Sequence, residues 1–114
     1  MLSTTIRARF EALRIRATPI SNTYLAIGIP LAQPARIIKI SNETDINVLI
    51  TTDNTLDMDF IPANGFILYD LGSNKASVSS TLEFAKNTQF YVKRADAVPS
   101  TSGSVYLTVI YSGV

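Results

Sequence analysis

The stretch from Pro34 to Leu71, PARIIKISNETDINVLITTDNTLDMDFIPANGFILYDL, restricts the possible folds more than any other part of the chain. Ala35–Ile40 and Ile46–Thr52 are rich in Ile and Val, and both are bounded by turn residues. Between them lies Ser-Asn-Glu-Thr-Asp (41–45), short enough for a hairpin loop and built of side chains that bond their own backbone. A third apolar run, Gly65–Leu71, follows Pro62-Ala63-Asn64-Gly65. That tetrapeptide suits a turn, because proline fixes the entry and glycine tolerates positive φ. The unit predicts three antiparallel strands, and nothing in its centre carries a catalytic signature.

The flanking segments extend the same pattern. Thr23–Ile29 alternates, with Leu25, Ile27 and Ile29 on one side, and reads as a strand. Pro30 and Pro34 bracket the linker that follows, and both suit a strand end or a sheet edge. Thr52–Asp59 is a polar excursion, after which Phe60 and Ile61 return to the sheet. Gly72–Ser80 reads as loop, and a short strand is possible through Ser79–Phe84. Gln89–Arg94 places Phe90 and Val92 on one side, and Asp96–Ser104 is a turn region. Val105–Tyr111 is apolar on both faces, which predicts a central strand or an edge covered by something else. Only Ile6–Ile15 competes for helix: Phe10, Leu13 and Ala17 would share a helical face. As a strand the same segment changes phase after Ala12, which points to a bulge, and the bent strand is preferred.

These elements predict an all-β chain, a single antiparallel β-sandwich of about seven to nine strands, jelly-roll-like or immunoglobulin-like. Residues 1–114 form one domain, with 1–16 a short N-terminal arm or an edge strand. The chain is 46% hydrophobic and only 17% charged, apolar for a small soluble monomer. Part of the surface is therefore expected to be covered by further copies or by a partner. A net charge of +1 does not demand nucleic acid or membrane, and no run approaches a membrane span. Met1–Arg16 has Arg where a signal peptide would need an apolar core, so assembly in the cytoplasm is expected.

Histidine and cysteine are both absent, which excludes Ser-His-Asp and Cys-His catalysis, disulfides and His or Cys metal sites. Asp53, Asp57 and Asp59 form the only dense carboxylate group. Asp57 and Asp59 would point the same way on an extended segment, but the glycine and closing glutamate of a calcium loop are missing. A solvated loop is the better reading. The five glycines are scattered, so no phosphate-cradling loop is present. Asn42-Glu43-Thr44 matches a glycosylation acceptor and is read as a turn. Five Tyr and five Phe could make a sugar-stacking platform, yet Trp is absent and core or interface use fits better. The chain is expected to be no enzyme, with no cofactor, metal or small-molecule substrate.

Four of the ten cationic residues, Arg7, Arg9, Arg14 and Arg16, lie in the first sixteen positions. Arginine suits paired contacts with carboxylates or phosphates. Only Phe10 is interleaved with them, too little aromatic surface for nucleic-acid recognition. The quartet is the candidate partner contact: an arm lying on an acidic protein surface, or else a solvated strand face.

The strings PARIIKISNETD, ITTD and FIPANGFILYDL, with TPISNTYLAIGIPL before them and FYVKRADAVPSTSGSVYLTVIYSG after, resemble a family of small bacteriophage virion structural proteins. The likeness spans nearly the whole chain and follows a β-rich pattern. It implies a virion protein, assembled in the host cytoplasm, that stabilises the particle by symmetric contacts. Capsid decoration comes first; a head-to-tail connector or tail component, or a receptor- or glycan-binding module of a tail fibre, is the alternative. The implied partners are copies of the chain itself and other virion proteins, the major capsid, portal or tail proteins.

Overall fold

Short apolar runs interrupted by Asn, Asp, Gly and Pro give nine strands in two antiparallel sheets, with no helix among the described residues. The computed structural model describes residues 7–71 and 82–113. The strands are β1 (Arg7–Phe10), β2 (Arg14–Ala17), β3 (Leu25–Ala26), β4 (Ile37–Asn42), β5 (Val48–Thr51), β6 (Asp59–Ile61), β7 (Phe66–Asp70), β8 (Tyr91–Arg94) and β9 (Ser104–Gly113). The first sheet runs β1-β9-β4-β7, with β2 also on β9, and the second runs β3-β8-β5-β6.

β1 and β2 pair with successive parts of β9, Phe10 opposite Ile110 and Arg14 opposite Leu107. They are two halves of one strand, parted at Glu11–Leu13, where the phase change predicts a bulge. Counted so, the pairings nest like one long hairpin: β1/β2 with β9, β3 with β8, β4 with β7, β5 with β6. Rolling that hairpin brings β9 onto β4 and β8 onto β5, which closes the two sheets. The result is the strand order of a jelly roll, and the immunoglobulin-like alternative is set aside.

The core lies between the sheets. Ile38 and Ile40 of β4, Val48 and Ile50 of β5, and Val105, Leu107 and Val109 of β9 are buried in it. Each such side chain contributes about 1.5–3 kcal/mol by leaving water. β9 has neighbours on both edges, as its two apolar faces predict. Its other face, Tyr106, Thr108 and Ile110, is half-buried.

The expected three-stranded unit is corrected in its connections. Ser41–Asp45 is no hairpin loop, because β4 and β5 belong to different sheets. The chain turns there around Asn42, which is wholly buried. Its Nδ2 donates to the carbonyls of Ile46, Ile61 and Pro62, and its Oδ1 accepts from the backbone N–H and hydroxyl of Thr44. One side chain thus ties the β4–β5 crossing to the β6–β7 crossing. It also removes the glycosylation acceptor from the surface. In the 62–65 turn the left-handed residue is Asn64 (φ 61°) and not Gly65. Glycine is needed at 65 for space, since a Cβ would lie 2.9 Å from Pro62 Cγ.

Thr23–Ile29 is a strand only at Leu25–Ala26. Gly28 takes φ 67°, which ends the extended run after buried Ile27 and turns Ile29 outward, 67% exposed. The loop Gly72–Ser80, most of the possible strand Ser79–Phe84, and Met1–Ile6 lie outside the described residues. Phe84 itself makes a single bridge to Ala35.

Candidate protein interface

The arginine quartet divides in two. Arg14 and Arg16 face Leu107 and Val105 across β2·β9, on the inner side of the sheet. Arg14 is 5% exposed, and its guanidinium donates to the carbonyls of Ile29 (2.7 Å), Pro30 (2.8 Å) and Ala12 (3.1 Å) and to Glu11 Oε1 (2.7 Å). Glu11 in turn accepts from the backbone N–H groups of Ala32 and Gln33. The pair fastens the bulge to the 29–33 loop. Arg16 is half-buried and donates Nε to the Ala26 carbonyl. The contact expected of Arg14 is therefore corrected: its donors are spent inside the chain, and an exposed partner cannot reach them.

Arg7 and Arg9 are exposed on β1, the part of the N-terminal segment that pairs only with the last residues of β9. Arg9 lies directly against Gly113, where any side chain would collide with it. The expected arm at 1–16 is thus an integral strand from Arg14 onward and a paired ribbon at Arg7–Phe10.

The ribbon leads onto the outer face of the first sheet. Register places three rows of side chains there. Phe10, Ile110, Ile37 and Asp70 form one; Thr108, Lys39 and Leu68 the next; Ile15, Tyr106, Ser41 and Phe66 the third. Phe10 (69% exposed), Phe66 (63%), Leu68 (55%) and Ile15 (49%) stand out of it, and Lys39 and Asp70 are its charges. Lys39 Nζ sits 5.2 Å from the centre of the Phe66 ring. Four large apolar groups at such exposure present roughly 400 Å² of apolar surface, within the range that marks interaction patches on monomers. Beside Ile15, a cleft of about 510 Å³ opens between the bulge and the Gly28–Ala32 loop, walled by Leu13, Ile15 and Ile29. Periodicity could show that both faces of β9 were apolar; which strands would leave their outer faces bare is a matter of topology.

The carboxylates of the 53–59 loop are dispersed among separate partners. Asp53 accepts from the N–H groups of Leu56 (2.8 Å) and Thr55 (2.9 Å) and the Thr51 hydroxyl (2.9 Å), which lower its pKa to about 2. Asp57 accepts from Tyr24 Oη (2.5 Å) and pairs with Lys93 (3.2 Å), and these hold it below the usual carboxylate range. Burial, then the Asp57 hydrogen bond, pushes the Tyr24 hydroxyl well above its ordinary value. Asp59 accepts from the Tyr69 hydroxyl. The loop is braced by its own acids, and among the described residues no three such groups converge on a metal position.

The aromatics are likewise divided. Tyr69, Phe84 and Phe90 stack edge to face at 5.9 and 5.5 Å, against or within the core. Exposed Phe10, Phe60 and Phe66 stand on three different strands. No protein-family model matches the chain, and no curated protein matches it significantly.

Proposed function

We propose that the protein is a non-enzymatic structural component of a bacteriophage particle, working through symmetric protein–protein contacts, with decoration of the capsid shell as its task. The observation that carries the contact role is the outer face of the first sheet, where Phe10, Ile15, Phe66 and Leu68 stand exposed on one surface. Such a face is costly in water and gains when a protein surface covers it. The carboxylates of the 53–59 loop, in contrast, are engaged in bracing it: Asp53 holds the Leu56 N–H, Asp57 the Tyr24 hydroxyl and Asp59 the Tyr69 hydroxyl.

The phage assignment draws on the resemblance of the strings quoted above. The jelly roll agrees with it, since shell proteins of viruses use this fold, but sugar-binding and other proteins use it too, and fold alone does not set function. Phe10 and Phe66 stand on opposite edge strands of that face and Phe60 on the other sheet, a spacing that suits a packed contact better than a sugar-stacking platform.

The experiment is to mix the purified chain with phage shells that lack it and to image them by electron microscopy. Ordered density at symmetry-related positions on the shell supports the proposal. Shells that stay bare, with the chain bound instead to host glycans, overturn it.

A further inference from the structure

The two sheets have four edges, and three are blunted. β3 has two residues and β6 three, too short to template another chain. The β1/β2 edge is interrupted by its bulge and bears four arginines. The fourth, β7, is five residues of FILYD with no Lys, no Pro and no interruption. Among the described residues no strand covers its outer side.

Its backbone is oriented for pairing. Asn42 N–H donates to Gly65 O and Leu71 N–H to Arg36 O, each at 2.8 Å. Antiparallel alternation then directs the polar groups of residues 65, 67, 69 and 71 at β4, and those of Phe66, Leu68 and Asp70 away from the sheet. The outward residues are also the exposed ones, two of them large and apolar. Edge and face thus meet in one strand.

We infer that β7 is a self-association edge, pairing antiparallel with β7 of a second copy about a two-fold axis at Leu68. In that register Leu68 meets Leu68 of the second copy, and Phe66 meets Asp70 of the second copy on either side. All three pairs fall on outward-facing backbone and exchange hydrogen bonds. Charge selects the register. Lys39 lies over Phe66, so the incoming Asp70 carboxylate arrives beside a cation, and the two-fold axis repeats the contact. Sliding the strands toward their C-terminal ends brings the two Asp70 carboxylates together and loses a pair. Sliding them the other way sets Asp70 against Asn64 and leaves Lys39 without its anion. On the inner face, Ile67 meets Tyr69 of the second copy and prolongs the core. Two jelly rolls then share one continuous sheet whose outer face is the apolar surface described above. The inference deepens the structural reading by naming one of its symmetric contacts, and rests on that reading for the use of the pair.

The chain has no cysteine, so a single introduced thiol reports only on contact between copies. In a hydrogen-bonded antiparallel pair the Cα atoms are about 5.5 Å apart, within disulfide range. Leu68→Cys should therefore cross-link to a dimer under mild oxidant. Phe66→Cys should not, because its equivalent in the second copy is four residues along the strand, about 13 Å away. Sedimentation velocity on the unmodified full chain should show a concentration-dependent dimer. Leu68→Pro, which deletes an outward N–H and keeps every bond to β4, should weaken it at least about tenfold. Circular dichroism on the proline variant checks the fold, and the two cysteine variants decide the matter if it fails to fold. Cross-linking at Phe66→Cys as efficient as at Leu68→Cys overturns the pairing, as does a monomer throughout the concentration range. A monomer that still decorates shells overturns the pairing alone. A Leu68-centred dimer that leaves shells bare upholds the pairing and removes the structural reading.

Discussion

Arg14 and Asn42 show what a residue type conceals until its neighbours are known. Both stand in polar-looking strings, and both are buried and bonded to the chain's own backbone and to close neighbours. Four arginines within ten positions are visible as a cluster; that β2 turns two of them, Arg14 and Arg16, inward is set by Arg14 lying opposite Leu107, a contact far away in sequence. Arg14→Gln should cost about 3–5 kcal/mol in chemical denaturation, because it strands the buried Glu11 carboxylate, whose side chain is 6% exposed. Arg7→Gln, on an exposed strand end, should stay within about 0.5 kcal/mol. Asn42→Ala leaves several buried carbonyls and the Thr44 N–H without their partner and should cost about 2–3 kcal/mol. Asp53 gives a pH signature. Its pKa is lowered from 3.8 to about 2, so its stabilising contribution is complete above pH 4 and is lost as pH falls toward 2. In Asp53→Asn the melting temperature should fall less steeply over that window than in the unmodified chain.

Among the elements, those that the alternation of side chains fixed hold best. β9 is a central strand with Val105, Leu107 and Val109 inward, as its two apolar faces predict, and Phe90, just before β8, lies on the core side with Val92 of β8. The bulge between β1 and β2 was legible as a change of phase. Thr23–Ile29 was misread because alternation says nothing about φ. The Gly28 conformation breaks the strand so that Arg14 can pass beneath: a Cβ on Gly28 would sit 2.8 Å from Arg14 Cβ and Cγ. Gly28→Ala combines a left-handed backbone with that collision and should lose at least about 2 kcal/mol, against a few tenths gained where alanine fits. Denaturant midpoints of Gly28→Ala, Arg14→Gln and the double variant should reveal coupling, since the two sites share one contact.

At the scale of the whole molecule, the nested hairpin decides what the N-terminal segment is for. Its outermost pair joins β1/β2 to β9, the first described strands to the last, so the sheet closes only when both ends of the chain are in place. The sequence shows strands and turns in order, but turn residues do not say whether the chain doubles back within a sheet or crosses to the other, and hence Ser41–Asp45 looked like a hairpin. The two halves of the N-terminal strand contribute unequally to closure. β2 carries the Arg14–Glu11 clamp, while all four residues of β1 are exposed and pair only with the tip of β9. Removing residues 1–10 should leave a cooperatively folded sandwich with its melting temperature lowered by only a few degrees. Removing residues 1–17 uncovers the β9 edge along Val105 and Leu107 and should abolish cooperative unfolding. The shorter truncation also deletes Phe10, which ends one row of the proposed contact surface, together with exposed Arg7 and Arg9 on the other side of β1. It should therefore bind shells at least about tenfold more weakly while remaining folded. The part of the loss due to the arginines should vanish at high salt, where screening falls to within about 3 Å. A truncated chain that folds and binds shells as tightly as the full one would exclude β1 from the contact and leave the β7 edge and the face beside it to carry the attachment.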